Sequence, residues 1–429
     1  MPVMSLTLLG LAILILICGS PVAVALGFAS ALVIFIYKPV PDMMMVPQLL
    51  CEASTSFTLL AVPLFILAGN LMEKGSVGRN LIDWCTSVVG WMTGGLGAVN
   101  IVGSMIFGGI SGSSLADTAT FGSILVPRMV DDGYDRDYAG AVTLTSSCLS
   151  VVIPPSILIV LAAAATQQSV SRALAAGLMP GILITALLMI PNYIICKKYG
   201  YGTKIPFSLK NVWAKTKTCW TAIVAPLIIL GSIFSGVVTP TEGAAVACLY
   251  VLFIDGVIYR KFTMKDIISC LEDAAVLTGC VLFIATSSAV MNFVISFEGI
   301  PTLMSNALMA MPGGKIGFLI LLDVFLIIIG MTVDANPATL IFTPLLLPVA
   351  TQMGIDPSHF IIICVVGFAV GLTTPPYGVC LFSISSVCNI PMDRLVKKAI
   401  PFYVVLFGCM FLVTFIEPIA TFLPTLFGM

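Results

Sequence analysis

The chain alternates long apolar runs with short polar punctuation. A helix needs about 20 predominantly apolar residues to cross a bilayer. On that ruler the pattern predicts crossings at 3–19, 22–37, 57–73, 136–166, 172–196, 219–236, 239–259, 275–295, 357–388 and 394–423. Segments 78–92 and 299–311 are shorter and predict interfacial connecting helices. Segments 94–130 and 314–351 differ from all of these. Each has two apolar arms of roughly 16 residues, short of a full crossing. The arms meet at a polar turn, Ser111–Ser114 in one and Met331–Pro337 in the other. Both are expected to be re-entrant helical hairpins, opening to opposite sides.

Composition supports a lipid-embedded chain. Of 429 residues, 59% are hydrophobic and 9% charged. Soluble domains carry roughly 25% charged residues. The net charge of −1 offers no basic stripe for nucleic acid. The 13 cysteines form no C-x-x-C pair and fall mostly within apolar runs, as small buried hydrophobes do. No Lys or Arg precedes the first apolar run, which argues against a cleaved signal peptide. A single histidine with no Cys/His grouping speaks against a membrane enzyme.

Charge placement sets the topology. The stretch 197–217 holds six lysines and no acidic residue, and reads as a cytoplasmic linker between two halves. With the hairpins kept from crossing, Lys74, Arg79, Arg128, Arg136, Arg260, Lys261, Lys265, Arg394, Lys397 and Lys398 join those lysines on the cytoplasmic side. Only Lys38, Arg172 and Lys315 fall opposite, as the positive-inside rule requires. Both termini are then periplasmic.

The two halves match at an offset of 221 residues: Pro127 falls on Pro348, Pro154 on Pro375, Pro155 on Pro376, Pro180 on Pro401, and Gly109 on Gly330. Helix breakers fix backbone shape, so their register carries more weight than overall identity. The expected organisation is repeat 1 at 1–196, the linker 197–217, and repeat 2 at 218–429. Repeat 1 contains scaffold helices 1–73, interfacial helix 78–92, hairpin 94–130, broken helix 136–166 and helix 172–196. Repeat 2 contains scaffold helices 219–295, interfacial helix 299–311, hairpin 314–351, broken helix 357–388 and helix 394–423. Five crossings per half invert the second repeat, an arrangement characteristic of secondary transporters. The fold class is therefore an all-α polytopic membrane protein.

The hairpin turns and helix breaks carry the chemistry. Non-helical backbone at membrane depth requires protein or water partners. A hairpin tip leaves carbonyls of the first arm and amides of the second without helical partners. Carbonyls and the hydroxyls of Ser111, Ser113 and Ser114 are hard oxygen ligands for a monovalent cation, and the amides suit an anion. Ser113, Ser114, Asp334 and Asn336 are candidate caps of the second arms. Asp117 and Asp334 are ionisable groups placed at membrane depth, where such groups mark function. Ile153-Pro154-Pro155-Ser156 and Thr373-Thr374-Pro375-Pro376-Tyr377-Gly378 break two long apolar helices at one repeat position and free carbonyls there. Thr143, Thr145, Ser146, Ser147 and Ser150 predict a wet or ion-lined face before the first break. Glu242 suits either an interface or a functional role, and His359 a structural one.

These motifs resemble the large membrane subunit of the tripartite ATP-independent periplasmic (TRAP) transporters. The resemblance rests on Gly108–Asp117, Pro154-Pro155-Ser156, Thr239-Pro240-Thr241-Glu242-Gly243-Ala244-Ala245 and Gly371–Gly378, spread over nearly the whole chain. It implies Na⁺-coupled import of acidic solutes, with sialic acid and C4-dicarboxylates foremost, by an elevator movement. It implies one Na⁺ site at Ser111, Gly112, Ser113, Ser114, Pro154 and Ser156. A second falls at Thr332, Asp334, Asn336, Thr373, Thr374 and Gly378. Substrate candidates are Ser113, Ser114, Asp117, Pro155, Asn336 and Pro376. No cofactor beyond the coupling Na⁺ is implied. The implied partners are a separate small four-helix membrane subunit and a periplasmic solute-binding protein. A stand-alone carboxylate or oxyanion symporter and a passive channel are the competing readings.

Overall fold

The computed structural model describes residues 3–37, 44–55, 57–75, 77–203, 206–309 and 313–429. Lys38, Lys204 and the end of the expected interfacial helix at 310–311 lie outside the described residues. Among those described, every regular element is a helix.

By length and composition, five helices suffice to cross a membrane among the described residues: Val170–Tyr199, Pro240–Ile258, Met264–Phe297, Gly314–Thr332 and Met392–Phe415. Two bent pairs raise the number to seven, Arg136–Val152 with Ile157–Ala165 and Leu209–Thr221 with Pro226–Phe234. Gly314–Thr332 passes the length test, yet the chain leaves helix at Val333 and resumes it at Ala335 as the second arm of a hairpin. The other hairpin pairs Gly95–Ser111 with Ser114–Asp131.

The expected linker is shorter than its lysines suggest. The preceding helix runs on through Lys197 and Lys198 to Tyr199 and closes on Gly200 at φ 70°. Lysines in a last turn favour the helix, because the carbonyl end of its dipole is negative. The next helix starts at Leu209, with Ser208 accepting from the Asn211 amide at 3.4 Å. Lys215 and Arg128 converge on Asp83, each at 3.3 Å. The helix Met45–Ser54 was not expected at all. Its cue is local, since Val46, Leu49 and Leu50 share one face and pack on the small core around Leu26 and Met291.

Burial divides the helices into two populations. Pro357–Thr373 is buried continuously from Ser358 to Thr373, and Arg136–Ser146 from Asp137 to Ser146. The most apolar window of Met264–Phe297, by contrast, is only 17% buried. Its Leu271, Val276 and Phe283 are exposed, as suits a lipid-facing surface.

The hairpins and broken helices interlock. The first part of each broken helix packs on its own hairpin, and the part after the break packs on the second arm of the other hairpin. Glycines permit the closest approaches. A Cβ on Gly108 would lie 2.4 Å from the Ser150 Cα, and one on Gly330 3.0 Å from the Gly371 Cα. Both partners stand at the same 221-residue register. Backbone that close leaves no space for a side chain.

Candidate functional site

Each hairpin tip is built by capping. In the first, Ser111 ends one arm and Gly112 turns the chain at φ 63°, its amide bonding the Gly108 carbonyl at 2.8 Å. Ser113 then caps the second arm, its Oγ accepting from the Ala116 amide at 3.3 Å. In the second, Asp334 caps through Oδ1, which accepts from the Asn336 amide at 2.9 Å. Each cap is worth about 1 kcal/mol.

The tips abut the breaks. A Cβ on Gly112 would lie 3.1 Å from both the Pro155 carbonyl oxygen and the Ile157 nitrogen. At the second tip, the Tyr377 amide donates to the Met331 carbonyl at 3.2 Å. Both Pro–Pro peptides are cis. Ser156 spans its break: its Oγ donates to the Val151 carbonyl and accepts from the Ile159 amide at 3.2 Å.

The two tips also share a cavity of about 110 Å³. Ser111–Ala116 line it from one hairpin and Asp334, Ala335 and Asn336 from the other. Val151, Ile157, Leu158 and Leu372 contribute from the broken helices. The far wall comes from Ala61–Lys74, through Ile66, Gly69, Asn70 and Glu73, and from Leu277 and Val281 of the long helix. Gly69 is where that wall touches the tip, since a Cβ there would lie 2.8 Å from the Ser111 carbonyl oxygen.

Thus Ser111, Gly112, Ser113, Ser114, Asp334 and Asn336 converge on one space. Pro154, Pro155 and Ser156 lie beside the first tip and are buried, but they do not line the cavity. Gly378 closes the second break, and a Cβ on it would meet the Thr374 carbonyl oxygen at 2.7 Å. The hydroxyls of Thr332, Thr373 and Thr374 turn back to carbonyls of their own helix, Thr373 and Thr374 both to Val370. Pro376 is exposed and away from the cavity.

Asp117 lies one turn beyond the first tip, fully buried. Its Oδ2 accepts from Ser104 at 2.9 Å, and Oδ1 has no hydrogen-bond partner. Ser104 also pairs with Ser146 at 3.1 Å, Ser146 donates to Asn100, and Asn100 donates to Thr143 at 2.6 Å. The polar run before the first break is therefore a buried, hydrogen-bonded seam rather than a wet face, with Asp117 Oδ1 left open beside it. Thr143, Thr145, Ser146, Ser147 and Ser150 are at most 1% exposed. Tertiary packing decides this, because the hairpin's first arm supplies Asn100 and Ser104 as partners.

The structure adds Asp323, which the sequence reading passed over inside an apolar arm. It is fully buried, with Oδ1 accepting from Thr414 at 2.8 Å and Oδ2 unpartnered. The signal was a lone carboxylate in a segment of membrane character. Glu242 forms a capping box with Thr239, whose amide reaches Oε2 at 2.7 Å, which accounts for it structurally. His359 is buried, with Nε2 2.8 Å from the Val413 carbonyl oxygen.

Comparisons with known proteins agree with this architecture. The family model described as "Tripartite ATP-independent periplasmic transporter, DctM component" matches residues 9–419. The sialic acid TRAP transporter large permease protein SiaM of Vibrio cholerae is 33% identical over 413 residues, 96% of each chain. The C4-dicarboxylate TRAP transporter large permease protein DctM of the same organism is 34% identical, covering 96% of this chain and 95% of that one. Among solved structures, the YdaH transporter of Alcanivorax borkumensis superposes with a TM-score of 0.63 at 14% identity. It covers 88% of this chain and 89% of that one, and shows a shared fold.

Proposed function

We propose that this chain, which belongs to the DctM-component family of tripartite ATP-independent periplasmic transporters, is the solute-translocating subunit of a Na⁺-coupled importer of small carboxylates in the bacterial inner membrane. The observation that carries this reading is the convergence of both hairpin tips on one cavity. There, carbonyl ends of first arms and amide ends of second arms meet at the same place. Carbonyls and hydroxyls favour a cation, and amides at helix starts favour an anion. Holding both charges together lets each stabilise the other in a low-dielectric setting.

The solute is of sialic acid or C4-dicarboxylate type, by analogy with the two Vibrio relatives. Na⁺ occupies the two tip-and-break junctions, with Ser111–Ser114 against Pro154 and Ser156, and Thr332, Asp334 and Asn336 against Thr373, Thr374 and Gly378. Ser113, Ser114 and Asn336 face the solute. Asp117 and Pro155 lie behind the first tip, outside the cavity lining. The register of Ser150 with Gly371, each packed against a hairpin glycine, supports a repeat of hairpin and broken helix. The hairpins and broken helices of the two repeats move as a body against the scaffold helices. With both termini periplasmic, Glu73 stands at the cytoplasmic end of the cavity wall, which supports an inward-facing reading. A separate small membrane subunit and a periplasmic binding protein complete the machine.

The test is counterflow in proteoliposomes holding the chain with both partners, screening carboxylates with and without Na⁺. Uptake should require Na⁺ and the binding protein. Transport of free solute by the chain alone would favour a stand-alone symporter. Uptake indifferent to a Na⁺ gradient would favour a passive channel.

A further inference from the structure

A second cavity, of about 200 Å³, lies further along the same face of the long helix Met264–Phe297. It is lined by Leu49, Glu52, Gln167, Ser288, Asn292 and Pro344, among others. Ser288 is 2% exposed, and its Oγ has no hydrogen-bond partner; neither has the buried Oδ1 of Asn292. Buried polar atoms are ordinarily satisfied, and an exception calls for a reason. Pro344 also denies the Leu340 carbonyl its helical amide, and Leu340 lines the cavity too. A groove made for lipid looks different. The one beside Phe318 and Phe342 is lined wholly by apolar side chains.

The two cavities are joined by one helix face. Leu277 and Val281 line the first, and Ala285, Ser288 and Asn292 line the second. Spacings of four, four, three and four residues keep all five on one stripe of Met264–Phe297. The stripe narrows to small residues at Ala285, Ser288 and Ala289 between the two ends. The second hairpin touches both cavities, with its tip at Asp334–Asn336 in the first and Leu340 and Pro344 in the second.

We infer that Ser288 and Asn292 form the scaffold wall of the solute site when the transporter faces the opposite side. The inference rests on the moving-body reading above and extends it. The tips slide along the stripe from the level of Val281 to that of Asn292, about 16 Å at the α-helical rise. There the orphaned Ser288 and Asn292 groups gain hydroxyl or amide partners on the solute, while the hairpin amides keep its carboxylate. Glu52, at the cavity's rim, accepts from hydroxyls and disfavours a second carboxylate, so this side selects polyhydroxylated monocarboxylates over dicarboxylates.

Two measurements test this. In oriented proteoliposomes of the assembled transporter, Asn292→Leu should raise the influx KM about tenfold, as loss of one desolvated hydrogen bond does. The efflux KM should stay within about twofold. Equal change in both directions, or in neither, overturns the proposal; the latter is the outcome if the cavity holds only lipid. The second measurement needs no transport. With the exposed Cys18, Cys51 and Cys280 replaced, Asn336→Cys is paired with Leu277→Cys or with Asn292→Cys and treated with a short bis-methanethiosulfonate, each cysteine thiolate displacing a sulfinate. Bridging of both pairs is expected. Bridging of the 277 pair alone overturns the sliding path. A transporter indifferent to Na⁺ that still bridged both pairs would leave this inference standing and defeat the coupling.

Discussion

Glycine positions decide how closely the tip, the break and the wall approach one another. Gly112 needs its positive φ, and its virtual Cβ meets backbone that cannot swing away. Gly112→Ala should lower stability by roughly 2 kcal/mol, from the left-handed conformation and the contact together. A thermal midpoint in detergent measures it, and an unchanged midpoint would place the tip elsewhere. Gly69→Val should push the Ser111 carbonyl off the wall and lower uptake more than stability, since only the meeting of tip and wall is disturbed. Side-by-side thermal and transport assays separate the two effects. Ser113→Ala and Asp334→Ala each remove a cap and an oxygen at the tips. A weakened Na⁺ dependence of uptake is expected, whereas an unchanged Na⁺ response in both would make the tips purely structural.

At the scale of elements, ion pairs tie one half of the chain to the other through Asp135, Asp137 and Asp356. Arg394 and Lys398, starting the last long helix, reach Asp137 at 2.8 Å and Asp135 at 2.6 Å. Arg172, starting the helix Val170–Tyr199, reaches Asp356 at 2.8 Å. Asp135 and Asp356 are themselves 221 residues apart. These pairs are partly exposed, so each is worth under about 1 kcal/mol. Burial works against ionisation of Asp135, but the hydrogen bonds from Lys398 and the Asp137 amide and the nearby cations outweigh it and hold its carboxyl below the ordinary value. A lowered folded pKa contributes stability above the unfolded value, about 3.9, and loses it as pH falls through the folded one. The stability gap between wild type and Lys398→Ala should therefore be full near neutrality and shrink below about pH 4. Thermal midpoints measured across that range check the sign.

For the whole molecule, the question is what moves against what. The part of each broken helix after its break packs on the second arm of the other hairpin, which supports treating these elements as one unit. They meet Ala61–Lys74 through the first arm Gly95–Ser111 and through Ile157–Ala165, with Gly69 against the Ser111 carbonyl. A disulfide between cysteines at 69 and 111 should hold the tip to the wall, abolish uptake, and release it on reduction. Uptake that persisted in the oxidised form would remove the moving-body mechanism.

Much of this was legible in the residue pattern. Apolar run length, the two polar turns and the register of Pro154-Pro155 with Pro375-Pro376 depend on local backbone chemistry, which a linear chain displays directly. Membership of the transporter family followed from motifs of the same kind. Other features needed the third dimension. Nothing local tells whether Thr143 and Ser146 face water or a partner; Asn100 and Ser104, about forty residues earlier, close that seam. Nor could a string of letters show that Ser111–Ser114 and Asp334–Asn336 share one cavity, or that Ser288 and Asn292 line a second. Breakers and hydropathy act over a few residues along the chain, whereas a site is made by distances between residues far apart in it.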